Sequence, residues 1–336
     1  VKITETMTSR QRVLGAINHE PVDRMPIDLG GTIATGISAF AYHNLLRYLG
    51  LATDNIRIND MMKVFLAYVD EDIRRRFHCD CIALNPGWAS TAKWNPRGKY
   101  SFIIPTNANP QLTNDRSWVV EHGERKMAMR EGSYYFDGLL PDLHRIGEDA
   151  LIEKTARHAE QLYKETDYYI ILQDFPGYFS VEPKWLCDML TDPEKIKAQN
   201  ELLLESSISK VKKVISSMGG YVQSVHMAND MGIQTGPWCS LSAYEDVVLP
   251  YYKRFCSFVH ENSDLKVHLH SCGSIKPLIP HLIDCGIDVL DPVQISAQNM
   301  NPTELKREFG DKICFWGGGC DTQNVLGTGT ADEVSR

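Results

Sequence analysis

No uninterrupted apolar run in the 336 residues approaches the roughly 18 needed to cross a bilayer. The polar opening stretch, residues 1–12, lacks the apolar core of a secretory signal, and the chain reads as cytoplasmic. A basic excess is missing too. Against 43 Asp+Glu stand 35 Lys+Arg, a net charge of −8, which argues against a nucleic-acid protein because phosphate binding needs a basic face. The nine cysteines show no framework spacing, so in a cytosolic chain they are thiols, some of them available to a metal, rather than disulfides. There is no internal repeat, low-complexity tract or interdomain linker, and Gly30-Gly31 and Gly317-Gly318-Gly319 fit neither the Rossmann nor the Walker spacing. What is there is a chain of average composition, 43% hydrophobic and 23% charged, long enough to bury most of its surface without a metal or disulfide staple.

Apolar spacing predicts helices over residues 8–19, 38–49 and 58–77, and short strands over 24–29 and 79–84. Residues 91–136 are rich in Asn, Pro, Gly and Thr and read as an excursion of short antiparallel strands. From residue 152 the rhythm is regular. Helices at 152–166, 193–218, 241–261, 275–285 and 302–309 alternate with strands at 168–173, 221–227, 266–270, 288–292 and 312–316, and a further helix begins at 330. Such alternation means parallel strands with helical crossovers. Seven strands are counted where a closed barrel needs eight. The expected fold is therefore one (β/α)8 TIM-barrel domain over residues 1–336, with the small β excursion at 91–136 and a C-terminal βα portion missing.

In such barrels the active site lies at the C-terminal ends of the strands. The loops there collect Asp174, Asn229, Asp230, Gln234, His270, Cys272, Gln294, Cys320, Asp321 and Gln323. Residues 266–272 (KVHLHSC) are the most informative. Because side chains alternate across a strand, Val267 and Leu269 share one face while His268, His270 and Cys272 share the other. Barrel interiors are filled mostly by branched aliphatics, so three such residues in succession point to a metal or to catalysis. The alternative is a pair of buried, hydrogen-bonded histidines beside an inert thiol. Imidazole with thiolates is zinc chemistry, with one position left for water, substrate or a carboxylate. Cys320, after the side-chain-free floor of Gly317, Gly318 and Gly319, is the candidate second thiolate, and Asp230 the candidate fourth ligand or base. The other seven cysteines read as small hydrophobes. Trp88, Tyr178, Phe179, Trp238 and Trp316 either bound a flat aromatic or corrin-sized partner or close the barrel core.

Five segments in order, residues 10–26 (RQRVLGAINHEPVDRMP), 229–237 (NDMGIQTGP), 270–273 (HSCG), 290–294 (LDPVQ) and 317–323 (GGGCDTQ), resemble the uroporphyrinogen decarboxylase superfamily over nearly the whole chain. The resemblance implies a (β/α)8 fold and either porphyrinogen decarboxylation or zinc-dependent methyl transfer with cobalamin. Decarboxylases of this kind grip a polycarboxylate with an arginine-bearing stretch just after the VDRMP-like segment. Here residues 27–35 (IDLGGTIAT) hold no Arg or Lys, so a polyanion would lack charge-assisted partners. The His-x-Cys pair typical of the methyltransferase branch is present as His270 and Cys272, with Cys320, or a residue beyond this chain, as the second thiolate.

The expected activity is thus that of a corrinoid-dependent methyltransferase, either an O-demethylase acting on a methyl ether such as a methoxylated aromatic, or an enzyme methylating a thiol. Zinc would sit on His270, Cys272, Cys320 and Asp230. Asp230 would also handle a proton, Asp174 and Gln234 would position substrate, and Gly317, Gly318, Gly319 and Gln294 would face the cofactor. Cobalamin is expected on a separate corrinoid protein. The alternatives are a metal-independent uroporphyrinogen decarboxylase and a non-catalytic tetrapyrrole- or corrinoid-binding protein. No nucleic acid or membrane partner is expected, and the sequence leaves the oligomeric state open.

Overall fold

The structure is a computed structural model that describes residues 5–61, 64–85, 87–88, 90–138 and 148–336. The chain divides into two compact units, Val1–Pro26 with Ala159–Arg336, and Ile27–His158.

In the first unit, five strands lie side by side in chain order: β1 (Tyr169–Pro176), β2 (Ser224–Ala228), β3 (Lys266–His270), β4 (Val289–Asp291) and β5 (Cys314–Phe315). Every neighbouring pair is parallel. Helices make the crossovers: Pro183–Thr191 and Pro193–Met218, then Leu241–Val247 and Leu249–Asn262, then Ile279–Cys285, then Pro302–Phe309. Their starts follow local chemistry. Asp192, Ser240 and Asn301 each accept a backbone N–H of the first turn, and Pro193 and Pro302 occupy early positions where a missing N–H costs nothing. Strands β2, β3 and β4 are buried along nearly their whole length, as parallel strands covered by helices on a face are, while β5 is half-buried. All five strands predicted after residue 166 are found, β3 with the predicted bounds. Among the described residues β1 and β5 are not paired with each other.

The motif at residues 10–26 is structural. Thr8 and Gln11 form a reciprocal cap on helix Ser9–Ile17. Arg10 donates from its backbone to the Asp167 carbonyl and from Nε to the Tyr168 carbonyl, at the entrance to β1. The fully buried Arg12 grips Asp23 with Nε at 2.6 Å and Nη2 at 3.0 Å, and that contact holds the Asp23 carboxyl well below the ordinary range.

The early chain corrects two expectations. Residues 24–29 form no strand. Ile27 instead exchanges two bonds with Asp80, one to the side chain and one from Asp80 N–H to its own carbonyl, and Pro26 lacks the donor a ladder would use. The helix expected over 58–77 is replaced by antiparallel strands Ile56–Asp60 and Leu66–Ala67 and a six-residue helix, Glu71–Arg76. The helical spacing of Met61, Phe65, Val69 and Ile73 does mark buried positions. A second pattern, buried Ile56 and Ile58 flanking exposed Arg57, has the period of a strand and pairs with Phe102–Pro105. The second unit buries Phe40, Phe65, Trp94, Phe102 and Phe136 in one aromatic core. Within residues 91–136, Thr91–Trp94 pairs antiparallel with Phe102–Pro105, and Trp118–His122 with Arg125–Met129.

Candidate metal centre

Parallel register decides which side chains meet. His226 of β2 lies opposite His268 of β3. One step further along, Ala228, His270 and Asp291 share a row across β2, β3 and β4. Alternation puts His268 and His270 on one side of β3. Among the described residues two groups of potential ligands result, each with its donor atoms mutually within 4.8 Å: an open trio of Asp230, His270 and Cys272, and a buried trio of His226, His268 and Asp291.

In the open trio, His270 Nε2 stands 3.4 Å from Asp230 Oδ1 and 3.5 Å from Cys272 Sγ. Asp230 is half-exposed and His270 retains 17% of its side-chain surface. The loops that carry these groups are stapled together. Cys272 N–H donates to Asp230 Oδ1 at 3.0 Å, Asn229 N–H to the His270 carbonyl at 2.8 Å, and Met231 N–H to Ser271 Oγ at 3.0 Å. Asn229 Oδ1 accepts from Phe179 N–H and the Tyr252 hydroxyl, which holds the loop after β2 against the helix Leu249–Asn262. Two glycines make the crossing possible. At Gly273, φ is +92° and a Cβ would lie 2.3 Å from the backbone of Gly232; a Cβ on Gly232 would in turn meet Ser274 N at 2.9 Å.

The buried trio is built differently. His268 Nε2 lies 2.5 Å and His226 Nε2 3.5 Å from Asp291 Oδ2, while Asp291 Oδ1 faces His270 Nδ1 at 2.6 Å. All three residues are at most 2% exposed. Burial penalises the Asp291 charge, but His268, His226 and His270 outweigh it and hold the carboxyl well below its usual range. Burial also pushes His226 down to about 4, leaving it neutral at pH 7. Burial opposes the His270 cation as well, but Asp230, Asp291 and Cys272 together carry its pKa up to about 12. Asp230 is lowered chiefly by its contact with His270.

The remaining predicted residues are placed as follows. Cys320 is half-buried and belongs to neither trio. Its loop is tied across the mouth by Gln234 Nε2, which donates to Gln323 Oε1 at 2.6 Å. Gly317 and Gly318 have φ of +100° and +82°, a backbone region that favours glycine. Gln294, expected to face a cofactor, accepts from Gly273 N–H at 2.8 Å and so holds the Cys272 turn. Asp174 lies in β1, and its side chain is outside the described ones. Tyr178 and Phe179 are buried and close the core rather than line a rim; Trp238 is exposed, and Trp316 lays its ring against His268 with centroids 5.0 Å apart. Trp88 is part of the second unit, its Nε1 donating to the Ile58 carbonyl. Of the cysteines taken as small hydrophobes, Cys79, Cys81, Cys256 and Cys285 are buried but Cys187 is exposed.

Sequence reasoning missed Asp291. It sits inside the quoted 290–294 motif, and an acid directly after the apolar Val289 and Leu290 in the predicted strand 288–292 is the signal that could have found it. The spacing Asp-x-His-x-x-Gly of a corrinoid carrier occurs once in the chain, at Asp142, His144 and Gly147. Those residues are outside the described ones, and a lone short spacing is weak without structural context.

Fold and site together define an α/β protein with soft, ligand-spaced side chains at the C-terminal ends of parallel strands. Residues 182–336 match the family model for uroporphyrinogen decarboxylase (URO-D), a segment that includes β2 to β5 and both trios. The solved structure of a methyltransferase from Methanosarcina mazei is similar with a TM-score of 0.50 at 14% identity, over 91% of this chain and 81% of that one. No curated protein sequence matches the chain. The segment 182–336 thus resembles the uroporphyrinogen decarboxylase family, and the fold is TIM-barrel-like α/β.

Proposed function

We propose that the protein is a zinc-dependent methyltransferase working with a corrinoid protein. The spacing of the open trio carries this reading. Two ligands on a tetrahedral zinc stand about 3.3 Å apart when both are N or O, and roughly 3.5 Å apart for an N and a thiolate. Asp230 and Cys272 lie at 3.4 and 3.5 Å from His270 Nε2. His270 and Cys272 would hold the metal, with Asp230 as third donor and Cys320, on the loop tied by Gln323, as the remaining one.

Bound zinc supplies a Lewis acid with an exchangeable position, suited to the leaving oxygen of a methyl ether or to a thiol acceptor. Asp230, the exposed member, is placed to take or return a proton at the mouth. Gln234 and Asp174 would orient the small substrate. Gly317, Gly318 and Gly319 leave backbone free of side chains where a corrin could approach, with Gln294 as a further contact. The cobalamin would be brought by a separate carrier. One barrel domain over residues 1–336 and a cytoplasmic location belong to the same proposal; among the described residues no helix is long and apolar enough to cross a membrane.

The name of the Methanosarcina mazei structure supports methyl transfer over decarboxylation, as does the absence of Arg and Lys from residues 27–35. Protein purified without oxygen is expected to carry one zinc per chain and to methylate cob(I)alamin from a suitable methyl donor, read by absorbance. Conversion of uroporphyrinogen at an enzymatic rate would replace this reading with the decarboxylase. Tight corrinoid binding with no turnover, unaffected by Cys272→Ser, would replace it with a binding protein. Unchanged zinc affinity in Cys320→Ser would remove Cys320 from the ligand set.

A further inference from the structure

One buried carboxylate gathers three imidazoles, and the metal site uses only one of them. Asp291 is 1% exposed, yet its two oxygens face His226, His268 and His270. An ionised carboxylate only accepts, so the 2.6 Å contact at Oδ1 requires the proton of His270 to be on Nδ1. That leaves Nε2 directed at Asp230 and Cys272. Oδ2 is faced by His268 and His226, and Ser271 N–H donates to the Asp291 carbonyl at 2.6 Å, which fixes the residue from its backbone as well. The Trp316 ring packs against His268.

The buried trio itself is a poor cation cage. Two ligands of one tetrahedral zinc stand about 3.3 Å apart, and His268 Nε2 lies only 2.5 Å from Asp291 Oδ2. That distance is too short for two ligands of one metal ion.

We infer that Asp291 is a positioning residue for the metal site: Oδ1 fixes the ring and tautomer of His270, and His226 and His268 crowd Oδ2 by close packing, without hydrogen-bond geometry, which leaves the carboxylate little room to turn. This rests on the proposed zinc site and adds to it a set of residues that never touch the metal. Partners of this kind, hydrogen-bonded to a ligating histidine, commonly alter metal affinity by about 10–100-fold.

The test is zinc affinity of the full chain, measured by competition with a chromogenic chelator, together with the visible spectrum of the cobalt(II)-substituted protein. The variants are Asp291→Asn, Asp291→Glu and His268→Gln, with Cys272→Ser as reference. Asp291→Asn should bind zinc about 10–100-fold more weakly than the parent, still at one per chain, with shifted cobalt bands. Asp291→Glu should recover part of both, and His268→Gln should weaken binding severalfold. Should Asp291→Asn fail to fold, His268→Gln and Asp291→Glu decide. Parental affinity and spectrum in the folded variants would overturn the inference, as would two zinc ions per chain in the parent. A parent that binds no zinc, or whose zinc survives Cys272→Ser, overturns the proposed function instead.

Discussion

Both trios combine imidazole with carboxylate at neighbouring strand ends, the open one at β2 and β3 with a thiol added and the buried one across β2, β3 and β4, and they differ in spacing and in water. Asp230, His270 and Cys272 keep their donors 3.4–3.5 Å apart around His270 Nε2, on the solvent side. His226, His268 and Asp291 are sealed, with one contact closed to 2.5 Å. The first arrangement suits an exchangeable ion. The second suits charge neutralisation, since a buried carboxylate is tolerated only when it is paired. Residue type alone therefore does not separate a metal site from its support; the distance between donors and their access to water do.

Substitutions at the two trios should fail in different ways. The largest effect is expected from His268→Leu, which strips a fully buried carboxylate of the imidazole nearest its Oδ2. The metal-free protein should lose about 3–5 kcal/mol in urea unfolding, and a loss under 1 kcal/mol would mean that the buried trio is not a paired charge cluster.

Acid should act on the same trio. The folded-state pKa of His226, about 4, lies below its ordinary 6.5, so the unfolded chain takes the proton first. The stability this group contributes is complete above pH 6.5 and is lost as the pH falls from there to about 4. The loss is on the order of 3 kcal/mol. A His226→Gln variant should show a flatter stability profile across that window, and a profile as steep as the parent's would place the acid sensitivity elsewhere.

At the open trio the expected losses are in binding. Cys272→Ser should reduce zinc affinity by about 100-fold or more while metal-free stability changes by less than about 1 kcal/mol. A large drop in metal-free stability would erase the contrast between the two groups. The smallest effect on zinc binding is expected at the Gly273 turn that orders the open trio. Gly273→Ala places a Cβ against the Gly232 backbone at positive φ, at a cost of about 1–3 kcal/mol, and by shifting Cys272 should also weaken zinc. Parental zinc affinity in that variant would show that the turn is not what positions the thiol.

Much of the candidate site was legible. The alternation in residues 266–272 places His268, His270 and Cys272 on one face because a strand repeats every two residues, and β3 has that register. Asp230 was legible as the acid just beyond a predicted strand. The role of Asp291 was not, because it depends on β4 lying beside β3 with Asp291 level with His270. Nor was the break in the predicted helix at 58–77, where a helical spacing and a strand alternation overlap and pairing with Phe102–Pro105 selects the second.

By itself the sequence determined the βα rhythm after residue 152, the positions of the later strands and the soft side chains at their ends, because these follow from local periodicity and from donor chemistry. Only the tertiary structure decided which of those side chains meet. It set His226 beside His268, put Asp291 under His270, and left Cys320 outside both trios. Register between strands far apart in the chain is chosen by packing, and no local pattern encodes it.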